Sequence, residues 1–200
     1  MTLSPYFALS VATTGLFSAD YEPKLLEVAA VLVSPGEDRA AAQSTGPGRF
    51  HHLIHHPPET FRSVQATQAQ RFHGITPEMC ADALPEEEVR EAFLAWRAGI
   101  ADVLFELGSG LGGWRAYNRD FVASVLKGDW TEALGGYGLA GRCVMEEASE
   151  VLGTHGVMPY GWDGSYKYPS LKATVSWLQR RDHDVSPPEG RAAPNAQCVA

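Results

Sequence analysis

Two hundred residues are enough for one domain with a sizeable core, since a chain of this length buries roughly 70% of the surface its unfolded form exposes. A hydrophobic content of 44% with 20% charged residues argues against global disorder, and a net charge of −8 disfavours tight non-specific binding to nucleic acid, which needs clustered Lys and Arg. No apolar run approaches the ~20 residues that span a bilayer, and no basic stretch leads into an apolar one at the N-terminus, so the expectation is a soluble, cytoplasmic protein without a membrane partner.

Tyr6 to Ala12 and Leu25 to Val33 are apolar, β-branched or aromatic runs bounded by Gly, Pro and Ser, which predicts two largely buried strands paired as a hairpin. The Pro-, Gly-, Ala- and Ser-rich stretch near 35–48 reads as a flexible loop. Arg49 to His56 reads as a more polar edge strand that Pro57 and Pro58 end. In His51, His52, His55 and His56, strand alternation sends alternate imidazoles to opposite faces, leaving pairs too small for a built metal site.

From Pro85 to Leu107, Val89, Phe93, Leu94, Trp96, Ile100, Val103 and Leu104 recur at helical spacing. Glu86, Glu87 and Glu88 lie in the first turn of this segment, where the helix dipole favours negative charge. Gly112 to Tyr117 reads as a fourth strand, Asp120 to Leu126 as a helix, Arg142 to Val151 as a strand passing into a helix, and Ser170 to Arg181 as an amphipathic helix. Hairpin strands followed by alternating helices and strands predict an α/β fold with a mixed sheet flanked by helices. Cys80, Cys143 and Cys198 are odd in number and widely spaced, which fits a reducing compartment rather than a disulfide frame.

Five segments carry a more specific signal. The first is Ser10-Val11-Ala12-Thr13-Thr14-Gly15-Leu16, closing the first strand, and Leu25-Leu26-Glu27-Val28-Ala29-Ala30-Val31 follows it. Phe72-His73-Gly74-Ile75-Thr76 precedes a predicted helix, Ala116-Tyr117-Asn118-Arg119-Asp120-Phe121-Val122 forms a strand-turn, and Gly190-Arg191-Ala192-Ala193-Pro194-Asn195-Ala196 lies near the C-terminus. Together and in this order they resemble the motifs of the DnaQ-like (DEDDh) 3′-to-5′ exonucleases, over nearly the whole chain. The resemblance implies a ribonuclease H-like fold with a mixed five-stranded sheet, in a single domain over residues 1–200.

In that family two divalent ions are held by four carboxylates, and a histidine takes the proton of the attacking water. By the resemblance, Ser10, Ala12, Val122 and Asn195 stand at the carboxylate positions and Gly190 at that of the histidine. Hard cations need anionic oxygen ligands, so no catalytic metal pair, and no other cofactor, is expected. Pro194 costs about 3 kcal/mol in a helix interior, which predicts only a short C-terminal helix.

The resemblance further implies that Thr13, Thr14, Leu16, His73, Asn118 and Phe121 are candidates for nucleic-acid contact, against the plainer reading in which Leu16 and Phe121 are core. The loop 156–168 concentrates Tyr160, Trp162, Tyr166 and Tyr168 among glycines, as candidates for base stacking or for a protein partner. Arg115, Arg119, Arg180, Arg181 and Arg191 would form a basic rim if the fold gathers them. The expected function is a catalytically inactive relative, a pseudoenzyme that binds the 3′ end of a single-stranded nucleic acid or a protein partner, with a homodimer open. The alternative is weak or unconventional metal-dependent 3′-to-5′ exonuclease activity.

Overall fold

A computed structural model describes residues 4–34, 48–106, 108–135, 141–162 and 164–181. The predicted loop near 35–48 and the predicted C-terminal helix, with Gly190 and Asn195, fall outside these residues apart from the loop's last position.

Strands β1 (Tyr6–Thr13), β2 (Leu25–Val33), β3 (Arg49–Leu53), β4 (Trp114–Ala116) and β5 (Gly141–Cys143) form one sheet in the order β3-β2-β1-β4-β5. The β1–β2 and β2–β3 pairs are antiparallel, while β4 runs parallel to both β1 and β5. The helices are α1 (Val64–His73), α2 (Pro77–Ala81), α3 (Glu86–Glu106), α4 (Arg119–Val125), α5 (Asp129–Ala133), α6 (Val144–Thr154) and α7 (Leu171–Gln179), with a 3-10 turn over Pro58–Phe61. This is the expected mixed five-stranded sheet flanked by helices. Among the described residues no helix is long and apolar enough to cross a membrane.

Alternation along the central strands divides the core in two. Phe7, Leu9, Val28 and Ala30 point to one face, where Val89 and Phe93 of α3, Val122 of α4 and Trp130 of α5 cover them. Ala12, Ala29 and Val31 point to the other, against Phe61, Ile75 and Cys80. Phe93 organises the larger cluster, meeting Phe50 edge-on at 5.1 Å, Phe7 at 5.8 Å and Trp130 at 5.9 Å.

Two expectations need correction. Val103 is 52% exposed, because the buried row of α3 runs Val89, Phe93, Ile100, Leu104 and a residue just before Leu104 lies about 100° around the helix. The third strand stops at Leu53 rather than His56. Ile54 N–H still donates to Leu26 O at 2.9 Å, but His55 N–H donates to Leu84 O at 2.8 Å, so the chain leaves β2 there. Glu86 does more than meet the helix dipole, since Trp130 Nε1–H donates to its Oε1 at 2.9 Å and ties α5 to α3.

Glu27 on β2 is fully buried, two residues along the same face from Ala29, which lies opposite His51. His51 Nε2 lies 2.6 Å from Glu27 Oε1. A buried carboxylate is tolerated only with such partners, so His51→Ala is expected to lower the free energy of unfolding by about 1–3 kcal/mol. Urea titration of His51→Ala, Glu27→Gln and the double variant checks this, and the double variant should cost less than the sum of the two.

Candidate functional site

The end of β1 is shaped by hydrogen bonds from the Thr-Thr-Gly turn to the segment leading into β2. Thr14 N–H donates to Lys24 O at 2.9 Å, and Lys24 N–H donates to Thr14 Oγ1 at 2.8 Å. The Tyr21 hydroxyl lies 2.6 Å from Thr14 Oγ1 and 2.9 Å from Thr14 O, sharing its proton between them. Thr13 Oγ1 donates to Gly15 O at 2.7 Å. Both threonine side chains are thus engaged in building the turn. Gly15 has φ 153°, and a Cβ there would lie 3.1 Å from both Gln65 and Tyr21.

The turn forms one wall of a cleft of about 510 Å³. Helix α1 forms the opposite wall with Gln65, Gln68, Ala69 and Phe72, a stripe at i, i+3, i+4 and i+7. Its ends are set by Ser63, whose hydroxyl accepts from Ala66 N–H, and by Gly74 in the left-handed conformation at φ 67°. The helix was not anticipated from the sequence because this stripe is amide-rich rather than apolar; the caps Ser63 and Gly74 were the available signal. Its last residue, His73, is buried against the cleft, and its Nδ1 accepts from Ile75 N–H at 3.0 Å, which places the ring proton on Nε2.

Phe121 of α4 closes the cleft and packs edge-on to Phe17 at 6.2 Å. Asn118 lies beside it as the cap of α4, accepting from Phe121 N–H at 3.1 Å. Leu16, at 72% exposed, stands at the mouth, so the core reading fails for this residue. Phe17 and Phe72, at 41% and 81% exposed, add to the same apolar lip and were not singled out from sequence.

Ser10 and Ala12 lie on one face of β1, Ser10 half-buried and Ala12 at the floor of the cleft. Val122 is brought elsewhere, buried in the cluster with Trp114, Ala116 and Leu126. Among the described residues lining the cleft there is no Asp, Glu, Lys or Arg. Nor does any group of three or more His, Cys, Asp or Glu among the described residues suit a metal ion. The histidine run is dispersed: His55 Nδ1 bonds Ala81 O at 2.9 Å and His56 Nε2 bonds Leu25 O at 2.7 Å, both past the end of β3. Burial holds His52 below the usual imidazole range, reinforced by His51. Cys80 and Cys143 are buried, and neither is in a disulfide among the described residues.

The arginines do not assemble as a basic rim. Arg115 and Arg142 face each other across β4 and β5, and Glu147 of α6 takes both, at 3.3 and 3.7 Å. Arg115 also lies over the Tyr6 ring, 4.3 Å from its centroid. Arg119 pairs with Asp120 at 2.8 Å and Glu146 at 3.8 Å, and Arg191 is outside the described residues. The aromatic loop splits: Tyr166 is half-buried against Gly153, with Tyr160 edge-on to it at 5.2 Å, while Trp162 and Tyr168 stand exposed.

No family model matches the chain, and no curated protein matches it. Solved structures do. Exonuclease I of E. coli in complex with a dT13 oligonucleotide superposes over 98% of this chain with a TM-score of 0.56 and 14% identity. Cell-death related nuclease 4 (CRN-4) superposes over 99% with a TM-score of 0.64 and 13% identity. The nuclease domain of 3′hExo, a DEDDh family member bound to rAMP, superposes over 98% with a TM-score of 0.58 and 12% identity. The chain spans 39% of the exonuclease I chain, 62% of CRN-4 and 86% of the 3′hExo domain. These likenesses define the fold class as that of the ribonuclease H-like exonucleases.

Tyr117, at the end of β4, donates to Pro169 O at 2.8 Å, and its hydroxyl lies 2.9 Å from Thr174 Oγ1, tying α7 to the sheet. Burial pushes its phenol up to about 12, so the fold favours the neutral form. The stabilisation is intact below pH 10 and is lost as pH rises toward about 12. Tyr117→Phe is expected to cost roughly 1 kcal/mol at neutral pH and to flatten stability between pH 10 and about 12, as read by urea unfolding across that range.

Proposed function

We propose that this chain is a catalytically inactive relative of the DnaQ-like exonucleases that holds the end of a single-stranded nucleic acid in the cleft between β1 and α1. The observation that carries the reading is the lining of the cleft: exposed Leu16 and Phe17, with Phe121, face the amides of Gln65 and Gln68. A flat ring with hydrogen-bonding edges suits such walls. Base stacking on aromatic side chains contributes about 1–3 kcal/mol per base, and carboxamides can both donate to and accept from base edges.

The residues present do not fit a pair of divalent cations. Ser10 offers a neutral hydroxyl, Ala12 and Val122 offer no ligand atom, and the described lining has no carboxylate to neutralise a hard cation. In this reading the cleft grips the base rather than the phosphate, and no phosphodiester is cleaved. The neighbours' oligonucleotide and rAMP complexes support nucleic acid as the ligand class. A protein partner is the second reading, favoured by the net charge of −8 and by the neutralisation of Arg115, Arg119 and Arg142 by neighbouring carboxylates.

Fluorescence anisotropy of a 5′-labelled single-stranded oligonucleotide mixed with protein and Mn²⁺ tests the proposal. A rise that stays flat is expected; a rise followed by decay would establish cleavage and overturn it, and no rise would move the search to protein partners. Leu16→Ala should weaken binding roughly tenfold, the equivalent of one stacked base, without lowering the melting temperature. Neither Mg²⁺ nor EDTA should shift that temperature, because a ligand stabilises a fold only in proportion to its binding.

A further inference from the structure

A second exposed aromatic station lies on the hairpin between α6 and α7. Its stem is well seated. Tyr160 and Tyr166 form an antiparallel bridge, Gly161 N–H donates to Ser165 O at 2.6 Å, and Lys167 N–H donates to Pro159 O at 3.0 Å. The ring of Tyr166 lies so close over Gly153 that a Cβ there would come within 2.1 Å of it. α7, which follows, is capped by Ser170 and anchored through the Tyr117 bond to Pro169.

On this fixed stem Trp162 is fully solvent-exposed, and Tyr168 is 58% exposed. Exposed rings of this kind offer flat faces on which bases can stack. Cations accompany it. Lys167, Lys172, Arg180 and Arg181 are all exposed, and Asp163 is the sole acidic residue from Pro159 to Arg181, although the chain as a whole carries −8. Asp182 and Asp184 follow directly in sequence, outside the described residues. Among the described residues no carboxylate pairs with these four cations, in contrast to Arg115, Arg119 and Arg142. Arg181 stacks on Trp177, 4.4 Å from its centroid, and His155 at the end of α6 meets the same ring at 5.3 Å. The segment thus alternates aromatic faces with cations, the complement of a strand that alternates bases with phosphates.

We infer that the hairpin and α7 form a second station for single-stranded nucleic acid, in which Trp162 and Tyr168 stack bases and Lys167 and Lys172 meet phosphates. The inference rests on the reading of the cleft as a nucleic-acid site, and it differs in physics: the cleft binds through bases, while this station binds partly through charge. Its contribution therefore falls with salt, by about 0.7 in the slope of log K against log salt for each phosphate contact on a single strand.

The test is anisotropy titration of a 5′-labelled oligothymidylate at several salt concentrations with wild type, Trp162→Ala/Tyr168→Ala, Lys167→Gln/Lys172→Gln and Leu16→Ala. Because the hairpin side chains are exposed, circular dichroism melts should match wild type. The aromatic pair is expected to weaken binding at least tenfold, the lysine pair to reduce the salt slope by about 1.4, and Trp162→Phe to remove most of the tryptophan quenching caused by the oligonucleotide. If both hairpin pairs bind like wild type while Leu16→Ala is weakened, the station is overturned and the cleft reading stands. If the hairpin pairs lose binding and Leu16→Ala does not, the station stands and the cleft reading falls. No binding by wild type overturns both, and the exposed aromatics then belong to a protein partner.

Discussion

The shape of the candidate cleft depends on the hydrogen bonds that Thr14 makes across the loop to Lys24. With its backbone N–H and its Oγ1 both engaged, and with Tyr21 adding a bond to its oxygens, the end of β1 is fixed against the start of β2. β1 is the middle strand of the sheet and is buried on both faces, so an error in where it ends would move both core clusters. The pairing slips between Ala12 and Thr13, which lets Leu25 join one cluster while Leu26 joins the other. Leu16 follows directly on this turn and is exposed to solvent.

Charge is distributed with similar economy. Glu27 is fully buried beside its cross-strand neighbour Ala12, with His51 at 2.6 Å, and is not among the residues lining the cleft. On the β4–β5 side, Glu147 pairs with Arg115 and Arg142, while Glu146 pairs with Arg119. Exposed ion pairs of this kind add little stability, but they remove cations that a phosphate would otherwise meet. What remains among the described cleft-lining residues is apolar surface, the hydroxyls of Thr13 and Ser18, the amides of Gln65 and Gln68 and one imidazole, a combination poorly suited to holding hard metal ions.

The two faces of α6 illustrate how one helix serves both regions. Its first turn holds the arginines of β4 and β5, while Gly153 in its last turn receives the ring of Tyr166. Only a residue without a side chain permits that approach, and the seated ring is what turns a glycine-rich loop into a stem that presents Trp162.

The β1–β2 hairpin and the long helix α3 were legible in the sequence because each buries a stripe with a period of its own, two for strands and 3.6 for helices. Helix α1 was not, since it turns amides toward an open cleft and buries only Ala66 and His73, leaving no apolar period to read. The sequence by itself determined the fold class through the resemblance, the absence of a carboxylate on Ser10 and Ala12, and the presence of aromatics between 160 and 168. Only the tertiary structure decided that Leu16 is exposed while Val122 is core, that Tyr166 is packed while Trp162 is free to stack, and which arginines are neutralised. The physical reason is that hydrophobic periodicity is a local property of the chain, whereas exposure and charge pairing depend on residues far apart in sequence that meet only after folding.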